Sequence, residues 1–192
     1  MNTFRAYSYM IHNNLTLEGY GIKLHRLTED KIEMVRCWRN APKIRQYMVY
    51  QEEITPEQQK AWFTRINNDQ NLYFIIEYKG EEVGLINLRD IDDKPEGEGG
   101  IFIYEDKYLN TDISYRAHIV LFEYAYSKLE HASVRSEILQ TNVRAIRFCE
   151  FLGGKEYARD DKMIYMRISK ENYMNNKNRL RFIKKEELKA SK

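Results

Sequence analysis

Two stretches of the chain carry side chains suited to holding anions. The segment YLNTDISYRA, Tyr108 to Ala117, leads from a Gly-containing extended run into a long amphipathic stretch, the place where many enzymes keep a glycine-rich phosphate cradle. It contains no glycine, the residue that lets a backbone take unusual angles and approach a phosphate with no Cβ in the way. What remains is a helix start, with free N–H groups and a partial positive charge, and Asn110, Thr111 and Ser114 as further donors. Asp112 adds a negative charge, although Asp and Asn both tolerate left-handed angles. The competing reading is a plain helix cap at Ser114. The second stretch is Trp38-Arg39-Asn40, with Tyr47, Met48 and Trp62 nearby in sequence. An arginine fork pairs with phosphate and an aromatic ring can stack on a base. Trp38 and Trp62 also lie on apolar helical stripes, where a core role competes, so Arg39 is the better functional candidate.

Other chemistries find little support. His12, His25, His118 and His131 lack metal-ligand spacing, Cys37 and Cys149 make neither a zinc pair nor a disulfide framework, and no P-loop or dinucleotide fingerprint occurs. A net charge of +2 is too small to suggest a nucleic-acid or polybasic membrane binder, and the basic run KNRLRFIKK reads as a solvated helix. Seven scattered Met residues read as packing. With 192 residues, 43% hydrophobic and 13% aromatic, the chain can bury the core of one ordinary domain. The absence of an apolar leader-like run or membrane span leads us to expect a soluble protein of a reducing cytoplasm, with no metal, nucleic-acid or membrane partner.

The elements that must position these groups follow from periodicity. YGIKLHRL alternates as a strand; Thr28 can cap a helix running to Asn40, with Ile32, Val35 and Trp38 on one face and Pro42 as its stop. In ITPEQQKAWF, Thr55, Pro56 and Gln58 form a capping-box start. LYFIIEYKGEEVGLINLRDI predicts an antiparallel hairpin turning at Lys79-Gly80, and EGEGGIFIY a further strand. Ala117, Val120, Leu121, Tyr124 and Ala125 make a helical stripe; SVRSEIL is a strand; Asn142 caps a helix with Ala145, Phe148, Cys149 and Leu152 inward and Gly153 as its stop. GGKEYARDDKMIYMRIS closes as a hairpin around Asp160 and Asp161, and the polar, basic tail from Glu171 reads as a loosely docked helix. Residues 1–20 are Tyr-rich and show no clear periodicity.

This order, with NVRAIRFCEFLGG near its end, resembles the GNAT superfamily of N-acetyltransferases over residues 22 to 168. LTEDKIEMVRCWRN, IRQYM, ITPEQQKAWF and YFIIEYKGEEVGLINL resemble more narrowly its PseH-like nucleotide-amino-sugar branch. The resemblance implies an α/β (α+β) single-domain GNAT fold over residues 21–170, with a mixed, mostly antiparallel sheet flanked by helices, an N-terminal extension at 1–20 and a basic tail at 171–192. It implies acetyl-CoA as acyl donor and direct attack of an amine on the thioester. Such a site needs an uncharged amine, a stabilised oxyanion and a proton for the departing thiolate. A UDP-linked amino sugar is the implied acceptor, and a homodimer is compatible with the family. The rival readings are a GNAT enzyme acting on a protein N-terminus, a polyamine or an amino-acid-like amine, and a catalytically degenerate binding module.

By the same resemblance the pyrophosphate loop falls on Leu109, Asn110, Thr111, Asp112, Ile113 and Ser114, with Asp112 and Ser114 where the family has glycine. Backbone groups of Gly100 to Tyr104, including Phe102 and Ile103, would serve pantetheine and oxyanion, joined by Asn142 and Phe148. Cys149 stands where a Tyr commonly protonates the leaving thiolate, followed by the acidic Glu150. A thiol, with an ordinary pKa of about 8.5 against about 10 for a phenol, could donate that proton, or Cys149 could be a small buried apolar residue. Gly154, where the family usually has Phe, would loosen the wall around the thioester. Glu98 is the candidate base; its alternative is a solvated acidic loop shared with Glu96.

Overall fold

The computed structural model describes residues 15–91 and 96–176. Eight strands, β1 (Thr16–Gly19), β2 (Ile22–Arg26), β3 (Leu72–Tyr78), β4 (Glu81–Arg89), β5 (Glu96–Ile103), β6 (Ser133–Leu139), β7 (Lys155–Arg159) and β8 (Met163–Ser169), form one sheet in the order β1-β2-β3-β4-β5-β6-β8-β7. All pairs are antiparallel except β5–β6. Six helices flank it: α1 (Ile32–Asn40), α2 (Pro42–Arg45), α3 (Pro56–Ile66), α4 (Ile113–Ser127), α5 (Val143–Phe151) and α6 (Lys170–Asn176).

Most of the expected elements are present, and the differences have physical reasons. The sheet gains β1, which is four residues long and half-exposed at an edge, too short for a period to show; it turns into β2 through Tyr20 and Gly21, both at positive φ. Thr28 precedes a single 3-10 turn, Glu29–Lys31, before α1 begins, and its side chain makes no capping bond. Thr55 and Gln58 form the expected reciprocal capping box on α3. The tail is more firmly docked than expected as far as Asn176. Tyr173 of α6 is 1% exposed and packs on Phe122 and Tyr126, with ring centroids 5.3 and 5.5 Å away. His12, KNRLRFIKK and the first fourteen residues lie outside the described residues.

Alternation along β3 sends successive side chains to opposite faces. Phe74 and Ile76 join a core with α4 and α5, whereas Tyr73 and Ile75 join a second core with α1 and α3. Burying a residue such as Phe74 contributes about 1.5–3 kcal/mol, and the two cores hold the sheet from both sides. The feature that matters for function is a fork. β5 and β6 pair only through Glu96–Glu98 and Ser133–Arg135; beyond that, β5 follows β4 and β6 follows β8. The edge of β5 from Gly99 onward, which faces the parted β6, therefore has no strand partner among the described residues.

Candidate active site

Ser136 stands at the point where the strands part, its hydroxyl donating to the Gly99 carbonyl across the fork at 3.1 Å. Behind it lies Cys149 of α5, 7% exposed, with Ser136 as its side-chain hydrogen-bonding neighbour. Burial pushes this thiol up to about 11, partly offset by Ser136, so at neutral pH it is a neutral thiol and not a thiolate nucleophile. The expected loose wall at Gly154 is not what that glycine provides. A Cβ there would lie 2.7 Å from the Cys149 carbonyl oxygen, so glycine permits a close backbone approach at the end of α5.

The loop ahead of α4 corrects two expectations. The helix begins at Ile113, so its N-cap is Asp112 and Ser114 lies within the first turn. Asp112 does not cap with its side chain; its carboxylate forms an ion pair with buried Arg116 at 2.8 Å, and its charge is already matched. Its backbone, φ −85° and ψ 1°, needs no glycine. The left-handed residue is Asn110, at φ +62°, two positions earlier than the resemblance to the family's motif places the first glycine. The N–H groups of Ser114 and Tyr115 in the first turn lack an intrahelical acceptor; Thr111 folds back to donate to the Tyr108 carbonyl at 2.7 Å, and its Oγ1 accepts from Ile113 N at 3.5 Å. A fork with a free strand edge, next to an uncapped helix start, fits an extended cofactor with a pyrophosphate. Leu109 is half-buried against the α4 core. Asn142 caps α5, its Oδ1 accepting from Ala145 N at 3.2 Å, and Phe148 packs on Tyr115 at 4.6 Å and on His118 at 4.8 Å. That aromatic cluster buries His118, whose pKa burial pushes down to about 4. Among the described residues no group of side chains could hold a metal ion, and no helix is long and apolar enough to cross a membrane.

On the opposite face of the sheet a second group assembles. Tyr73, Asn87 and Gly100 are cross-strand partners on β3, β4 and β5; two residues along, Arg89 is opposite Glu98 and bonds its carboxylate. Burial raises the Glu98 pKa, with Arg89 opposing. Arg39, at the end of α1, comes to this group. Burial lowers its pKa, and the Tyr73 hydroxyl and the Arg89 charge are its next influences. Its Nε is buried with no hydrogen-bond acceptor, and among the described residues it has no ion pair. Asn87 Oδ1 is likewise buried and unsatisfied.

The other sequence candidates divide. Trp38 is core, stacked on Tyr104 at 5.4 Å and edge-on to Phe102 at 6.3 Å. Ile103 is buried on the α4 side. Trp62 is half-buried with its ring edge-on to Tyr73 at 5.1 Å. Asn40 spends its amide on the chain, exchanging bonds of 2.8 and 2.9 Å with the Ile54 backbone. Tyr47 is exposed and Met48 half-buried beyond α2, and no ring contact or side-chain hydrogen bond joins either to Arg39. Tyr73, Asn87, Arg89 and Ser136 were missed; a polar residue at an alternating position of an otherwise apolar strand was the available sign.

Residues 22–155 match the family model described as the acetyltransferase (GNAT) domain. No curated protein matches the chain. Among solved structures, apo FdhC, a nucleotide-linked sugar GNAT, is similar with a TM-score of 0.72 at 22% identity, over 87% of this chain and 97% of that one. Spermidine N-acetyltransferase from Vibrio cholerae, in complex with CoA and spermine, gives 0.71 at 16% over 81% and 99%. Campylobacter jejuni PseH gives 0.61 at 17% over 78% and 99%. At these identities the likeness is one of fold.

Proposed function

Because the chain belongs to the GNAT acetyltransferase family, its reaction is N-acetyl transfer from acetyl-CoA, and we propose that the acceptor is an amino group on a nucleotide-linked amino sugar. The observation that carries this reading is Arg39, a half-buried arginine whose Nε is buried without an acceptor and which has no ion pair among the described residues, on the face from which an acceptor would approach. A largely desolvated cation is costly unless something anionic meets it, and an anionic, nucleotide-linked acceptor does. A polyamine would bring further positive charge toward Arg39 and Arg89, which already oppose each other.

In this reading the uncapped first turn of α4 and the Asn110–Ser114 backbone hold the pyrophosphate, and the free edge of β5 holds pantetheine. Acetyl-CoA supplies the activated acyl group. Glu98, its affinity for protons raised by burial, takes the ammonium proton so that the amine attacks uncharged. Backbone N–H groups along the free edge of β5 stabilise the oxyanion. Cys149, kept protonated by burial, returns a proton to the departing thiolate through the Ser136 hydroxyl.

Thermal unfolding with candidate acceptors tests the assignment. A UDP-linked amino sugar should raise the midpoint, by an amount equivalent to about 2.7 kcal/mol at a hundredfold excess over its Kd, and should be acetylated. Protection and turnover with spermidine, and neither with the UDP sugar, would overturn it; cofactor binding without turnover on any amine would favour a binding module.

A further inference from the structure

One face of the sheet carries a row of charges that runs on past Glu98 to arginines the proposed chemistry does not use. The strand registers set Arg89 opposite Glu98, Glu98 opposite Arg135, Arg135 opposite Arg167 and Arg167 opposite Lys155. Cross-strand partners share a face, so five adjacent strands, β4, β5, β6, β8 and β7, line up four cations and one carboxylate. Glu96, two residues from Glu98 on the same face, lies between two of the arginines. Its Oε1 is 3.1 Å from Nε of Arg167 and its Oε2 is 3.6 Å from Nε of Arg135. Neither Nε makes a hydrogen bond, and no acceptor occupies the terminal nitrogens of either fork among the described residues. Both side chains are part-exposed, at 37% and 42%. The Tyr157 ring lies 4.4 Å from the Arg167 guanidinium and fixes its plane. Arg89, Arg135, Arg167 and Lys155 thus face Glu98 and Glu96, with Glu137 on β6 the further carboxylate on that side. Two neighbouring forks share one carboxylate.

We infer that Arg135 and Arg167, held apart by Glu96 and braced by Tyr157, form a seat for the diphosphate of the acceptor. The inference rests on the nucleotide reading and gives it a location. An arginine fork offers paired donors to phosphate oxygens, and two forks on adjacent strands match two linked phosphates. The place is also right for reach. Arg135 is paired with Glu98 at the closed base of the fork, and Gly100 lies two residues further along β5, about 7 Å at the usual strand rise. A hexose linked to a diphosphate on this seat therefore extends past Glu98 toward the free edge of β5, carrying its amine to the proposed base.

The test is isothermal titration of UDP into the full chain saturated with acetyl-CoA, so that the helix-start anion site is already filled. Arg135→Gln with Arg167→Gln should weaken UDP at least tenfold and leave acetyl-CoA affinity unchanged. Arg167→Lys keeps charge and strand but loses the fork, and should weaken UDP severalfold; its Tm guards against a folding defect. Unchanged UDP affinity in Arg167→Lys and the double variant overturns the seat while leaving the nucleotide acceptor intact. Arg-dependent binding of inorganic pyrophosphate without any binding of UDP keeps the seat and sinks the nucleotide. Binding of neither probe to the parent protein overturns the seat, and the UDP-sugar thermal shift then judges the acceptor separately.

Discussion

The helix start that faces the fork and the sheet face that carries Arg39 respond differently to sequence change. At the helix start the groups proposed to bind are backbone N–H groups, and the side chains there are already accommodated: Asp112 is neutralised by Arg116, and Asn110 supplies the loop's left-handed residue. On the sheet face the groups proposed to bind are side chains, and they interlock. Arg89 bonds Glu98, Tyr73 and Asn87 share a row, and Arg39 feels the Tyr73 hydroxyl and the Arg89 charge. Backbone-carried recognition should survive the loss of its usual residues, whereas side-chain-carried recognition has no substitute among the neighbouring residues. Substitutions on the sheet face should therefore cost far more than those in the loop.

The largest effect belongs to Glu98. Glu98→Gln should lower kcat by about 10²–10⁴, the range for a positioned base, with acetyl-CoA affinity intact. Burial raises the Glu98 pKa, so the carboxylate is lost to protonation as pH falls through a value above the ordinary range of about 4.3. The acid limb of the kcat/KM profile should lie correspondingly high. Arg89→Gln removes the charge that opposes this shift and should move the limb higher still. A limb that stays put in that variant would break the link between the two residues.

Arg39→Ala should come next, raising the acceptor KM about 10- to 100-fold, the worth of a charge-assisted bond of about 1.5–3 kcal/mol. It should also abolish thermal protection by the UDP sugar. Arg39→Lys tells phosphate geometry from mere charge, since lysine lacks the planar fork. Full rescue by lysine would mean that Arg39 acts only through its field.

The same contrast governs what could be read from the sequence. Helices and hairpins were legible because apolar period and turn chemistry are local: Lys79 and Gly80 both take positive φ, and Thr55 and Gln58 form their box. Arg39 and Glu98 were legible as types but not as neighbours, because α1 and β5 are brought together only by the sheet. Trp38 and Asn40 were misleading for the same reason, one spent on packing against Tyr104 and the other on the Ile54 backbone. The Arg135–Arg167 row depends on register between β6 and β8, and no local pattern encodes a register across separate strands.

Cys149 lies between the two regions and should give an intermediate effect. Cys149→Ala should lower kcat about tenfold, less than a positioned acid usually contributes, because a thiolate leaves well without full proton transfer. Removing the buried sulfur also leaves a small cavity, with about 1 kcal/mol of lost stability. Turnover per folded molecule and unfolding must be measured on the same protein. A thermal effect with unchanged kcat would reduce Cys149 to packing and leave the proton to solvent.

The smallest effects should come from the loop, and their pattern is opposite to what the family's motif suggests. The motif puts glycine at Asp112, so Asp112→Gly would be the restoring change. Yet Asp112 has an ordinary backbone conformation and a matched charge. The substitution breaks a partly buried ion pair and adds chain entropy, and acetyl-CoA affinity should change less than about threefold, near 0.6 kcal/mol. Asn110 is the residue whose backbone needs relief, at φ +62°. Asn110→Gly should be neutral or slightly stabilising, since glycine enters that region without steric cost. Asn110→Val should cost about 1–3 kcal/mol, the range for strained backbone, and weaken acetyl-CoA because the loop can relax only by turning its N–H groups away. Titration of acetyl-CoA into the three variants decides the matter. If Asp112→Gly strengthens binding strongly and Asn110→Val is silent, the loop works by the family's glycine rule after all, and the contrast between backbone and side-chain recognition fails at the place where it should be clearest.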